Sequence, residues 1–97
     1  MMDALECPMF DDSYDKSKSD WTKEKRGIDF IEAREIWSDP EAIEGPADMK
    51  NGEERWLKAG QVKGKIWTVG FTLRNGKIRI FMVRPARKEE KEVYNGY

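Results

Sequence analysis

Asn75-Gly76 sits between two runs of alternating apolar residues, and it leaves the chain few options there. Asn followed by Gly tolerates positive φ at both central positions of a type I′ turn, the turn that joins antiparallel strands most tightly. The flanking segments are therefore predicted as strands over Ile66–Leu73 and Ile78–Val83. A two-residue loop also sets the register: Leu73 opposite Ile78, Phe71 opposite Ile80, Val69 opposite Met82. Side chains alternate along a strand, so these six share one apolar face that must be buried. The other face carries Thr68, Gly70 and Thr72 against Arg79, Phe81 and Val83.

The period of two extends upstream to a strand over Arg55–Val62, turned by Lys63-Gly64. Earlier in the chain the pattern is helical. Asp15 is an N-cap for a short helix to about Arg26, whose apolar content is almost only Trp21. Gly27 suits the left-handed position after its end. Asp29 and Glu32 form a capping-box-like pair for a second helix, with Phe30, Ala33, Ile36 and Trp37 on its buried face. Asp39-Pro40 stops it. Residues 41–52 are loop or edge strand, with Gly45-Pro46 and Asn51-Gly52 as turn signals. Pro85 ends the last strand, and Ala86–Tyr94 reads as a terminal helix rich in Lys and Glu. Residues 1–13 form a tail, with Met9 and Phe10 able to pair at a sheet edge. The expectation is one α+β domain over residues 1–97: a small antiparallel sheet, two N-terminal helices on one face, a C-terminal helix, and the other face open.

Charge then says what the open face can meet. Residues 1–57 hold 8 Lys/Arg against 16 Asp/Glu, and residues 58–97 hold 10 against 3. A formal net charge of −1 thus hides a basic C-terminal half, with Arg74, Arg79, Arg84 and Arg87 on or just after the hairpin. A cationic sheet can hold a phosphate chain. Folding can equally interleave the two signs into ordinary solvated faces, so charge alone leaves both readings open. The single cysteine, Cys7, allows no intramolecular disulfide and fits a reducing cytoplasm. No apolar run reaches membrane-spanning length. The chain has no histidine, which removes the commonest general base and metal ligand, and no loop has the carboxylate spacing of a metal site.

The order of the motifs resembles the BrnT toxins of bacterial toxin–antitoxin pairs, small RelE-like ribonucleases, from about Tyr14 to Tyr94. A Y-D-x-x-K-S block stands as Tyr14-Asp15, Lys18-Ser19, and a K-H-G-hydrophobic-x-F block as Lys25-Arg26-Gly27-Ile28 and Phe30. Glu53-Glu54-Arg55-Trp56 matches the E-E-R start of a strand. Gly60 with Gly64-Lys65-Ile66 matches a G-x-x-x-G-R hairpin. Phe71-Thr72-Leu73-Arg74 matches F-T-x-R. The last block is Arg79-Ile80-Phe81-Met82-Val83-Arg84-Pro85-Ala86 with Glu90 and Tyr94. The chain departs from the pattern at Thr22 (for Asn), Arg26 (for His) and Lys65 (for Arg), and it lacks the serine before Val83.

The resemblance implies a RelE-like fold and endoribonuclease activity on messenger RNA, inhibiting translation and growth, with no cofactor. The metal-free route is attack by a ribose 2′-hydroxyl on the adjacent phosphorus. With no histidine, Glu or Lys must take the proton and Arg must hold the developing charge. The residues assigned are Glu54, or Glu53, as base; Arg79 and Arg84 as a clamp on the scissile phosphate; and Lys25 as acid or further cation. Arg74 and Lys88 hold flanking phosphates, and Phe81 stacks on a base. By the hairpin register Arg79 lies on the open face. Arg84 has core parity, and joins Arg79 only if the strand ends or bulges near Val83. The implied partner is a BrnA-like antitoxin, a ribbon-helix-helix protein through which alone the toxin meets operator DNA. The alternative is a non-catalytic RNA- or protein-binding module on the same scaffold.

Overall fold

The computed structural model describes residues 9–50 and 52–96. Cys7 and Asn51, and with Asn51 half of one expected turn, lie outside them. The fold is a four-stranded antiparallel meander, β1 (Ile43–Lys50), β2 (Glu53–Val62), β3 (Lys65–Arg74) and β4 (Lys77–Pro85), in that spatial order. Helix α1 (Lys16–Arg26) and a 3-10 helix (Glu32–Ser38) precede the sheet, and α2 (Lys88–Tyr94) follows it. The segment left open as loop or edge strand is therefore an edge strand, β1. At the opposite edge, Phe10 bridges to Ile78 in parallel fashion, and Asp11 N–H donates to the Ile78 carbonyl at 2.8 Å.

The turns follow their chemistry. Asn75 and Gly76 have φ of 53° and 78°, as a type I′ turn demands, and Lys63-Gly64 repeats the arrangement with 53° and 80°. Asp15 caps α1, its side chain accepting from Lys18 N–H at 3.1 Å. Thr22 and Ser19 face inward from α1, and the Ser19 hydroxyl accepts from Phe30 N–H, which binds the helix to the segment that follows.

The second N-terminal helix is not an α-helix. Asp29 and Glu32 do exchange their capping bonds, at 2.7 and 3.0 Å. Beyond them the chain winds with three residues per turn, so side chains three apart fall in one row. That row is Phe30, Ala33, Ile36 and Asp39. Its first three members are buried against the sheet. Asp39 ends the row by accepting from Gln61 N–H and from the Tyr94 hydroxyl, at 2.8 and 2.7 Å. The core these residues share with Ile28, Val62, Trp67, Val69, Phe71, Ile78, Ile80 and Val83 lies on one face of the sheet, sealed by Phe10, Trp37 and Trp56.

The hairpin register holds as expected from Leu73↔Ile78 through Phe71↔Ile80 and then shifts. Gly70 pairs with Met82 and Val69 with Val83, so Phe81 is an extra residue in β4. The expected pairing of Val69 with Met82 does not form. The bulge reverses the parity of everything after it. Val83 turns into the core at 1% exposure, and Arg84, opposite Thr68, turns to the second face. Leu73, at 53% exposure, sits at the rim of the apolar face and is not buried.

Glu32 ties three elements together. It accepts from the Lys23 ammonium at 2.8 Å, from Lys63 at 2.7 Å and from Asp29 N–H. These bonds, led by that to Lys23, hold its carboxyl at about 2. A depressed carboxyl contributes stability above its ordinary value near 4.5, and loses it as pH falls toward 2. Thermal unfolding followed by circular dichroism should show the melting temperature falling across that window. Glu32→Gln should flatten this acid limb and lower the melting temperature at neutral pH.

Candidate functional site

The second face of the sheet is not open throughout. Helix α2 lies across one half of it and buries Ala59 and Thr68. Glu90 anchors the helix. Its two oxygens accept from Arg84 Nη1 and Nη2, both at 2.8 Å, and one also takes the Thr68 hydroxyl at 2.8 Å and Arg87 N–H at 2.7 Å. The Arg84 guanidinium holds the Glu90 carboxyl down at about 2. Beside this helix runs an apolar groove of about 240 Å³, lined by Ile43, Pro46, Leu57, Ala59 and Val93 among others.

The other half stays accessible. A cavity of about 360 Å³ lies there, walled by Asp15 and Lys18 from the start of α1, Arg55 from β2, and Arg79, Phe81 and Met82 from β4. Its floor follows from the bulge. A Cβ added at Gly70 would come within 2.8 Å of the Phe81 ring and 3.2 Å of the Met82 methyl, so both side chains lie over this glycine. The Arg55 guanidinium stacks on the Phe81 ring, 4.4 Å from its centroid. Gly70→Ala should force Phe81 off the sheet and break this stack. About 1–3 kcal/mol of stability should be lost, read as a lowered denaturation midpoint.

Three cations thus converge on one cavity in a chain of net charge −1. Arg79 donates through Nε to the Ser13 carbonyl at 3.3 Å, and no carboxylate pairs with it among the described residues. Arg55 Nε and Thr72 Oγ1 are buried without a hydrogen-bond partner among the described residues. Thr72, 2% exposed, is the cross-strand partner of Arg79 and sits on the same face. Buried polar atoms are rarely left unpaired. Both lie on the face of the sheet that carries the cavity, Arg55 in its wall and Thr72 paired across the strands with Arg79.

Of the residues singled out from the sequence, Arg79 and Phe81 meet in this cavity. Arg84 does not. Five residues along a strand set it roughly 15 Å from Arg79, and it is engaged with Glu90. Arg74 pairs with Glu53 at 3.2 Å near the hairpin tip. Glu54 is exposed and, by alternation from Arg55, faces away from the cavity. Lys25 is exposed in the last turn of α1, and Lys88 is exposed at the start of α2. Sequence reasoning missed Arg55, Lys18 and Asp15 as members of a site. The signal for Arg55 was present: the period of two from Trp56 places it on the same face as Thr72 and Arg79.

The family model for the ribonuclease toxin BrnT of type II toxin–antitoxin systems matches residues 14–90, most of the chain. The chain belongs to the BrnT family. As members of a type II system, BrnT proteins have a protein antitoxin as partner. No curated protein matches this BrnT chain by sequence. Its departures from the family pattern have visible consequences. Arg26, in the histidine position, donates from Nη1 to the Val83 carbonyl and so straps the end of α1 to β4. Met82 precedes Val83, so an apolar thioether lines the cavity where the pattern has a hydroxyl. Among the described residues, no helix of this BrnT protein is long and apolar enough to cross a membrane. Among the described residues, no three His, Cys, Asp or Glu side chains gather where a metal ion could sit.

Proposed function

We propose that this BrnT chain is an endoribonuclease toxin that cuts RNA in the cavity walled by Lys18, Arg55, Arg79 and Phe81. The convergence of these three cations on one cavity beside an aromatic ring carries the reading. The guanidinium forks of Arg55 and Arg79 match phosphate oxygens and stay charged in any surroundings. In a recess partly shielded from water they stabilise charge developing on phosphorus. The ribose 2′-hydroxyl is the nucleophile, no metal or cofactor takes part, and the outcome in the cytoplasm is inhibited translation and arrested growth. A BrnA-like ribbon-helix-helix antitoxin binds the toxin and carries it to operator DNA.

Two features favour a second reading, a binding module without catalysis. Arg26 is engaged with the Val83 backbone carbonyl and is not in the cavity wall, and Met82 supplies no polar group to it. One experiment separates the readings. Purified protein incubated with single-stranded RNA in EDTA should yield fragments ending in 2′,3′-cyclic phosphate. Binding should weaken steeply with salt, as phosphate contacts require. Salt-sensitive binding with intact RNA would favour the module.

A further inference from the structure

Resting on the nuclease reading above, we infer that Asp15 is the general base and Lys18 the general acid of the cleavage. Among the described residues the cavity wall contains two arginines, a lysine, an aromatic ring, a thioether and one carboxylate, that of Asp15. Arginine cannot take a proton and a lysine ammonium only donates, so among the described residues Asp15 is the one proton-accepting side chain in that wall. One Asp15 oxygen is occupied as the helix cap, accepting from Lys18 N–H at 3.1 Å. The other has no hydrogen-bond partner among the described residues. The cap bond therefore fixes the carboxylate at the rim with a lone pair to spare, and the first turn of the same helix carries Lys18.

The step balances without a co-reactant. The 2′-hydroxyl gives its proton to the Asp15 carboxylate as its oxygen bonds to phosphorus. Arg55 and Arg79 hold the non-bridging oxygens while the bond from phosphorus to the 5′-oxygen breaks. The 5′-oxygen leaves with a proton from the Lys18 ammonium, and both side chains return to their starting states by exchange with water. The products are a 2′,3′-cyclic phosphate and a 5′-hydroxyl.

Asp15 also caps α1, so a structural role has to be separated from a chemical one. Asn is as good an N-cap as Asp, which makes Asp15→Asn the decisive variant. The assignment predicts that Asp15→Asn keeps the wild-type melting temperature and KM for single-stranded RNA while kcat falls by about 10²–10⁴-fold. Asp15→Ala should lose both rate and stability. If Asp15→Asn cuts RNA at a rate within about threefold of wild type, the carboxylate is only a cap and the assignment fails. It fails equally if Glu54→Gln abolishes cleavage and Asp15→Asn does not. Wild-type protein that binds RNA without cutting it overturns the nuclease reading itself, and the assignment with it. A cutting wild type alongside an equally active Asp15→Asn overturns the assignment alone.

Discussion

Arg79→Ala should lower RNA cleavage by about 10²–10³-fold and release the growth arrest caused by the wild-type chain, while the protein stays folded. The folding expectation follows from its contacts. Arg79 stands on an edge strand and makes one long side-chain hydrogen bond, to the Ser13 carbonyl at 3.3 Å. It belongs to no carboxylate pair among the described residues, so its removal leaves no buried charge behind. The catalytic expectation follows from its place. It shares a cavity with Arg55 and Lys18, and its ladder partner Thr72 has a hydroxyl without a partner among the described residues. Losing one well-aimed donor in such a site is felt in kcat. Single-turnover cleavage by Arg79→Ala and Arg79→Lys, set beside their melting curves, checks both halves. Cleavage unchanged in a folded Arg79→Ala protein would remove this cavity as the site.

Glu90→Ala should act in the opposite way, through the fold. The pair it forms with Arg84 is partly buried, at 22% and 16% side-chain exposure. Its loss strands that guanidinium, leaves the Thr68 hydroxyl unpaired in a fully buried position, and removes the bond at the start of α2. Together these should cost about 2–4 kcal/mol, reduced from the fully buried case because both groups keep some water contact. For a domain of this size that is a drop in melting temperature on the order of 10–20 °C. A helix of seven residues has no stability alone, so α2 should leave the sheet and become cleavable by protease before the rest unfolds. Arg84→Ala should share the effect, and the double variant should be little worse than either single one, since the two residues are ends of one interaction.

Much of the scaffold is legible in the sequence for local reasons. Asn75-Gly76, Lys63-Gly64, the Asp15 cap and the Asp29–Glu32 exchange are each decided within four residues, by φ preference or by a side chain reaching the nearby backbone. The 3-10 helix was legible too, in retrospect. Phe30, Ala33 and Ile36 recur at a spacing of three, and Asp39 continues it, whereas an α-helical stripe alternates threes and fours. The bulge had a weaker signal in Gly70, since an isolated glycine inside a strand often marks one. Nothing within β4 says that Phe81 is the residue squeezed out, because that depends on a partner eleven positions earlier.

By itself, then, the chain determined its turns, its caps, the apolar face of its hairpin and the family pattern it carries. Tertiary structure decided which cations meet. It moved Arg84 across the sheet through one inserted residue and engaged it with Glu90 under α2. It also brought Asp15 and Lys18, some forty residues away in sequence, to the side of Arg55. The physical reason is range. A turn or a cap needs only the atoms of its neighbours, whereas a cavity exists only after strands far apart in the chain have paired and set the parity of every side chain along them.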